Sequence, residues 1–309
     1  MKNFWFISDE NDENTRLDNY LSDLFENSSR SYFQKLIKNG FVSVNGEIKK
    51  PSYKLRLKDK IEIEQIEKGG NTFIPPQNIE LEIMFEDENM LVVNKPSGML
   101  THPTELEKEN TLVNALLFKY GENLSDINGY FRRGIVHRLD RNTSGLLMIA
   151  KNNKTHEFLT EQFKQRTIEK KYLAVVKGVV KEDSGIIDFP IGRNPRHPEK
   201  MAVVSQENGG KPSLTEFKVI KRFKDCTYLE LDLKTGRTHQ IRVHLSHIGH
   251  PILNDTLYGA GNSKVKTQEQ VLQAYKLKFA KPFSSDTIEL EVEPDEKIKK
   301  VLKYLENLK

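Results

Sequence analysis

The chain has 309 residues, 48 Lys and Arg against 44 Asp and Glu, a formal net charge of +4, and one cysteine. The length suits one large domain or two ordinary ones, and a composition 37% hydrophobic and 30% charged can fill a packed core. Cys226 alone excludes an intramolecular disulfide and a cysteine-cluster zinc site and fits a reducing, cytoplasmic setting, no run approaches the ~18 apolar residues of a membrane helix, and the opening MKNFWFISDENDEN turns acidic too early for a signal peptide.

In TRLDNYLSDLF (15–25), Leu17, Leu21, Leu24 and Phe25 fall at helical spacing, with Thr15 as N-cap. SSRSYFQKLIKNG repeats the pattern: Ser29 caps, Phe33, Leu36 and Ile37 form the apolar stripe, and Gly40 stops the helix. FVSVNGEI alternates around an Asn45-Gly46 turn, a hairpin signal, and IEIEQI (61–66) is a further short strand. Charge is uneven over this stretch. Residues 1–28 hold two basic and seven acidic side chains, whereas 29–60 hold nine basic residues against Glu47 and Asp59. The basic residues, among them Arg30, Lys35, Lys38, Lys49, Lys50 and Lys54, form either a phosphate-binding patch or a solvated face. EKGGNTFIPPQN (67–78), with two glycines, two prolines and no periodicity, reads as a linker.

From residue 79 the pattern turns strand-rich. LEIMFEDENMLVVNKPSGML reads as strand, acidic turn, strand and bend, and GIVH and GLLMIAK as two strands joined by a polar loop. THEFLTEQFKQ is an amphipathic helix, and KKYLAVVKG and TYLELDLKTG are strands. No solenoid-period repeat or low-complexity tract occurs.

Three features could carry chemistry. In GIVHRLDRNTSGLLMIAK (134–151), Asp140 is the only acid, set between Arg138 and Arg141 with His137 close by. Converging cations would keep it ionised, able to act as base or nucleophile; otherwise it caps a charged turn. LKTGRTHQIRVHLSHIGHP (233–251) predicts a helix with Ile241, Leu245 and Ile248 on one face and Gly249 and Pro251 at its end. Arg242 flanks that face and can reach inward. His239, His244, His247 and His250 cluster here, but the spacing is not HExxH and no Cys or Glu completes a zinc ligand set. Tyr172, in KKYLAVVKG, is either half-buried packing or a stacking platform for a base.

HRLDRNTSGLLMIAK resembles the catalytic loop of the large-subunit type of ribosomal pseudouridine synthases, the RluA family. NKPSGMLTHP (94–103), KKYLAVVKG and TGRTHQIRVHLSHIGHPILND (235–255) resemble further motifs of that family in the right order. RLDNYL, SRSYFQKLI and VSVNG, within 15–66, resemble an S4 RNA-binding domain. Together these cover nearly the whole chain. The resemblance implies an α+β protein: an S4-like module over 13–66, a linker over 67–78, and a catalytic domain over 79–309 with a mainly antiparallel mixed central sheet and a cleft. It implies isomerisation of uridine in RNA to its C-glycoside, without cofactor or metal. Asp140 matches the family's essential aspartate, Arg242 the basic residue paired with it, and Tyr172 the tyrosine that packs on the target base. Arg138 matches the arginine that helps hold the flipped-out geometry and Leu245 a pocket-lining residue; His137, Arg237 and His239 are further substrate contacts. The implied partner is RNA, with ribosomal RNA favoured over transfer RNA, and with no membrane and no obligate protein partner. The implied enzyme is a cytoplasmic monomer. The alternative is a non-catalytic S4-type RNA-binding or ribosome-assembly factor.

Overall fold

The computed structural model describes residues 3–6, 12–24, 30–63, 74–104, 107–197, 200–259, 267 and 269–308. In chain order its elements are β1 (Asn3–Phe6), α1 (Leu17–Leu24), α2 (Arg30–Lys38), β2 (Val42–Val44), β3 (Lys60–Ile63), β4 (Glu82–Glu86), β5 (Met90–Lys95) and α3 (Leu112–Tyr120). There follow β6 (Ser144–Ala150), α4 (Asn153–Lys164), β7 (Glu169–Lys177), β8 (Ser184–Asp188), β9 (Ile191–Arg193), β10 (Met201–Val203), β11 (Leu214–Arg222), β12 (Cys226–Leu233), α5 (Gln240–His247), β13 (Leu272–Ala280), β14 (Thr287–Glu291) and α6 (Glu296–Glu306). No helix among them is long and apolar enough to cross a membrane.

The chain divides into two compact units: Met1–Val93 with Met99–Leu139 and Leu147–Lys164, and Asn94–Gly98 with Asp140–Leu146 and Gln165–Lys309. The first unit begins with a small helical pair and a sheet of order β1-β3-β2. Leu17, Tyr20 and Leu21 of α1 and Phe33 and Ile37 of α2 share one core with Val42, Val44, Leu55, Ile61 and Ile63. The spacings are those of an amphipathic helix and an alternating strand, so each element buries one face. Asn45 and Gly46 both take positive φ, 55° and 79°, and Val44 and Glu47 exchange backbone hydrogen bonds across them. That is the tight hairpin turn expected of Asn-Gly. Thr15, however, is not the N-cap: α1 starts at Leu17, and Arg16 pairs with Lys54 as an isolated bridge, which delays the helix by a turn's fraction. The expected Ser29 cap, Phe25 and residues 67–73 of the linker lie outside the described residues.

The rest of the first unit holds the β4-β5-β6 edge of the large sheet with α3 and α4. Thr111 and Asn114 form a reciprocal capping box at the start of α3. GIVH is not a strand. Only Ile135 bridges Ile149, because the His137 ring takes the backbone N–H of Met148 that strand pairing would have used (2.9 Å).

In the second unit the sheet continues from the first residues of β6 in the order β6-β13-β7-β12-β11-β8, with β14 on the flank of β13. β13 runs parallel to β6 and antiparallel to β7 and β14, so the sheet is mixed and mainly antiparallel. Gly145 marks its tightest point. A Cβ there would lie 2.0 Å from the Ala274 carbonyl oxygen, and its φ is 116°. Only glycine lets the chain enter β6 so close to β13.

Candidate active site

Asp140 opens the short segment that leads into β6. Its Oδ2 accepts a hydrogen bond from Arg242 Nη1 at 2.8 Å, and His239 Nε2 lies 3.8 Å from the same oxygen. Arg242 comes from α5, whose residues Gln240–Leu245 are all buried. That helix is anchored at its start by Gln240, whose amide accepts from Thr235 Oγ1 and the Arg237 backbone and donates to Leu214 O and Thr215 Oγ1. The other edge of the Arg242 guanidinium is gripped by Asp255: Nε donates to Oδ2 at 2.7 Å and Nη2 to Oδ1 at 3.0 Å. Asp255 also accepts from the backbone N–H of Leu257 and Tyr258. Burial works against the charge on Arg242, but the hydrogen bonds and charges of Asp255 and Asp140 outweigh it, so its pKa is raised. The side chain of Asp255 is 1% exposed and that of Asp140 is 20%. Asp255 therefore holds the cation, and Asp140 is the carboxylate that can meet a substrate.

Around this pair stand two tyrosines. The Tyr258 ring lies under the Arg242 guanidinium, 5.0 Å from its centroid. The Tyr258 hydroxyl accepts from the Met201 backbone and bonds His239 Nδ1 at 2.8 Å. The ring of His239 thus stands between the Tyr258 hydroxyl at Nδ1 and Asp140 Oδ2 at Nε2. His239 itself adopts φ 55°, a left-handed conformation that few non-glycine residues hold. Tyr172 sits mid-strand on β7, opposite Leu231 and Ala274. Burial, and then the charge of Asp140, push its phenol far above the ordinary value, so it stays neutral at physiological pH. Leu245 is fully buried on α5, three residues on from Arg242. Arg237 Nε donates to Pro212 O at 3.3 Å.

Beneath the loop lies a residue the sequence reading passed over. Lys95, fully buried, donates to Pro96 O at 2.9 Å and Arg141 O at 3.1 Å. Burial pulls its ammonium down to about 7, against the opposing pull of Asp140. Asp255, Tyr258 and Lys95 were all missed. A lysine closing the apolar run MLVVNK and an acid following the basic helix in PILND were the available signals.

Of the other expected residues, Arg138 belongs to the first unit and is exposed. His137 is also in the first unit, its ring against Phe163 at 4.9 Å and bonded to Met148 N, which are packing contacts. Of the other clustered histidines, His244 bonds Thr215 and Phe189 O, His250 bonds Lys177 O, and His247 packs on the Phe189 ring. Among the described residues no three His, Cys, Asp or Glu are arranged to hold a metal ion.

In the basic patch, Lys35, Lys38, Lys50 and Lys54 are exposed. Arg30 bonds the buried Asp18, as do Arg16 and Gln34. Burial alone would raise the Asp18 pKa, but these hydrogen bonds win and hold it well below the usual carboxylate range. Lys49 pairs with Glu47 and lies over the Tyr53 ring.

Residues 89–247 match the family described as RNA pseudouridylate synthase, and residues 15–61 match the S4 domain. The chain is 43% identical over 304 residues to an uncharacterized RNA pseudouridine synthase of Aquifex aeolicus, covering 95% of each. It is 39% identical to the ribosomal large subunit pseudouridine synthase D of Zymomonas mobilis, over 94% of this chain and 93% of that one. The structure of human RNA pseudouridylate synthase domain containing 1 aligns with a TM-score of 0.58 and 26% identity over 75% of this chain and 97% of that one. The chain therefore belongs to the RNA pseudouridylate synthase family, with an S4 RNA-binding domain at its N-terminal end. It is an enzyme that isomerises uridine within RNA to pseudouridine.

Proposed function

We propose that Asp140 performs this isomerisation on uridines of large-subunit ribosomal RNA. The observation that carries the assignment is the shared guanidinium: Arg242, fixed by the buried Asp255, offers its remaining nitrogen to a carboxylate that keeps 20% exposure. The reaction breaks the bond between uracil N1 and the ribose, turns the base, and rejoins it through C5; the C5 proton is lost and N1 takes up a proton, so the product is an isomer. An ionised carboxylate is needed whether it attacks the anomeric carbon or removes a sugar proton. A charge-assisted hydrogen bond from a permanent cation keeps it ionised and aimed. A base within a stack hides its glycosidic bond, so the nucleotide is flipped out at a cost of a few kcal/mol. In this reading Tyr172, held as a neutral phenol, packs on the base; Leu245 lines its pocket, and His239 orients on Asp140. Arg138 and Arg237 contact the RNA strand, and Lys35, Lys38, Lys50 and Lys54 bind its phosphates. Relatives named for the large ribosomal subunit support that substrate. The division into an S4 module at 13–66, a linker at 67–78 and a catalytic domain at 79–309 belongs to the same proposal, as does action as a cytoplasmic monomer.

The test is release of tritium from uridine C5 in ribosomal RNA transcripts, with Asp140→Ala beside the wild type. Release by the wild type alone, with RNA affinity retained in the variant, is expected. Equal release by both would sink the assignment of Asp140, and release from transfer RNA only would overturn the substrate.

A further inference from the structure

The segment that carries Asp140 is tied down from below by the first turn of α6. Asp295 caps that helix, accepting from Ile298 N at 2.8 Å. The same carboxylate accepts from Ser144 Oγ at 2.5 Å. Gln273, the β13 partner of Ser144, accepts from Asp295 N and donates to Glu293 O, which fixes the chain as it enters the helix. Two residues further, Lys297 turns inward with only 11% of its side chain exposed. Its Nζ donates to Asn142 O at 3.2 Å and to Ser97 Oγ at 3.1 Å.

The hydroxyl of Ser97 lies within reach of both Asn142 O and the Glu269 carboxylate. It has a single proton, and the carboxylate is the stronger acceptor. Lys297 is then the donor that satisfies the Asn142 carbonyl. The preceding carbonyl, of Arg141, is met by Lys95 Nζ and by Gly98 N. Two consecutive carbonyls after Asp140 are thus met by two buried lysine amino groups, and Thr143 N closes the turn onto Asp140 O at 3.1 Å. Burial lowers the proton affinity of Lys297, with Asp295 and Glu269 working against that. An apolar side chain would fill this place without burying a charge, so the ammonium answers a need of the loop rather than of the core.

We infer that Lys297 and Asp295 are positioning residues for the isomerisation: through Asn142 and Ser144, the first turn of the last helix sets the backbone from which Asp140 is aimed at Arg242. This rests on the reading of Asp140 as the reacting carboxylate. Neither residue touches the substrate in this scheme, so the signature is a loss in kcat without a loss in binding.

The experiment is single- and multiple-turnover tritium release with Lys297→Met, Ser144→Ala, Lys299→Met and Asp140→Ala in the full chain. Lys297→Met is expected to lower kcat at least about tenfold with KM for RNA within about twofold, an effect of ~1.4 kcal/mol on the transition state alone. Lys297→Arg, which restores charged donors, should recover part of it. Ser144→Ala leaves Asp295 capping α6 and removes only its tie to the loop, so it should lower kcat severalfold at unchanged melting temperature. It decides the matter if Lys297→Met fails to fold. Lys299→Met, exposed on the same turn and paired with Glu296, should match the wild type. Wild-type kcat in both Lys297→Met and Ser144→Ala would overturn the positioning role, as would parallel losses in kcat and affinity. Turnover by Asp140→Ala would instead overturn the reading beneath it.

Discussion

Arg242 serves two carboxylates, and their unequal burial divides the labour between them. Asp255 has no exposure to speak of and four hydrogen-bond donors converging on it, two from the guanidinium and two from the backbone. Changing Asp255 to Asn keeps its shape but replaces one acceptor oxygen of the fork with an NH2 group facing N–H donors. Charge-assisted hydrogen bonds of this kind contribute about 1.5–3 kcal/mol each, and removing one partner also leaves the other charge under-compensated. Asp255→Asn should therefore lower stability by about 2–3 kcal/mol in urea denaturation and lower kcat, since the freed guanidinium no longer aims at Asp140. A variant with wild-type urea midpoint and wild-type turnover would show that Arg242 is held in place by α5 packing alone. The site residues legible in the sequence were those inside dense motifs. Asp140 is the sole acid among arginines, and Arg242 stands beside an apolar helical stripe. Lys95, Asp255, Tyr258 and Lys297 stood out far less, because what gives each its role is a partner brought close by tertiary folding: Arg141 for Lys95 and Asn142 for Lys297, 46 and 155 residues away.

At the scale of elements, the segment that carries Asp140 is a loop whose freedom has been removed at both ends. Before it, β5 ends in the Pro96-Ser97-Gly98 bend, and Gly98 N reaches Arg141 O at 2.9 Å. After it, Ser144 and Gly145 pair in parallel register with Gln273 and Ala274 of β13. Periodicity found most of these elements, since each buries one face, but it read GIVH as a strand because apolar composition does not reveal that a histidine side chain will take the pairing donor. It was equally silent on the parallel β6–β13 pairing, which joins segments more than a hundred residues apart. Gly145→Ala tests how much this junction matters. The new methyl group would collide with backbone rather than with a yielding side chain. Overpacking and a strained positive φ together should cost about 2–4 kcal/mol. Thermal melting should show the loss, and turnover should fall more than in Gly209→Ala, which shares a positive φ, 90°, but has nothing within 4 Å of the added Cβ, so that the difference between the two reports the overpacking. Equal melting temperatures for the two would mean that β6 and β13 can separate without penalty.

Over the whole molecule, a formal charge of +4 conceals how the positive charge is deployed. Some of it is already engaged within the fold: Arg16 and Arg30 on Asp18, Lys49 on Glu47, Arg242 on Asp140 and Asp255. Arg30, counted with the patch in the sequence, has its guanidinium on the buried carboxylate of Asp18 while about half of its side chain stays exposed. Lys35 and Lys38 are different. Both project from the last turn of α2, which its own dipole makes favourable for cations, and both are exposed. If they meet phosphates, each releases counterions on binding, and the doubly substituted Lys35→Ala, Lys38→Ala protein should show a slope of log affinity against log salt smaller in magnitude by about 1.4–1.8. Its affinity at low salt should fall, while kcat at saturating RNA stays at the wild-type level, because neither residue lies in the unit that carries Asp140. Fluorescence anisotropy of labelled ribosomal RNA fragments across a salt series, read beside single-turnover tritium release, separates the two effects. An unchanged slope would mean that this face is solvated in the complex. A fall in saturated kcat would mean that the S4 module does more than hold the RNA: it would have to set how the target uridine is presented to Asp140.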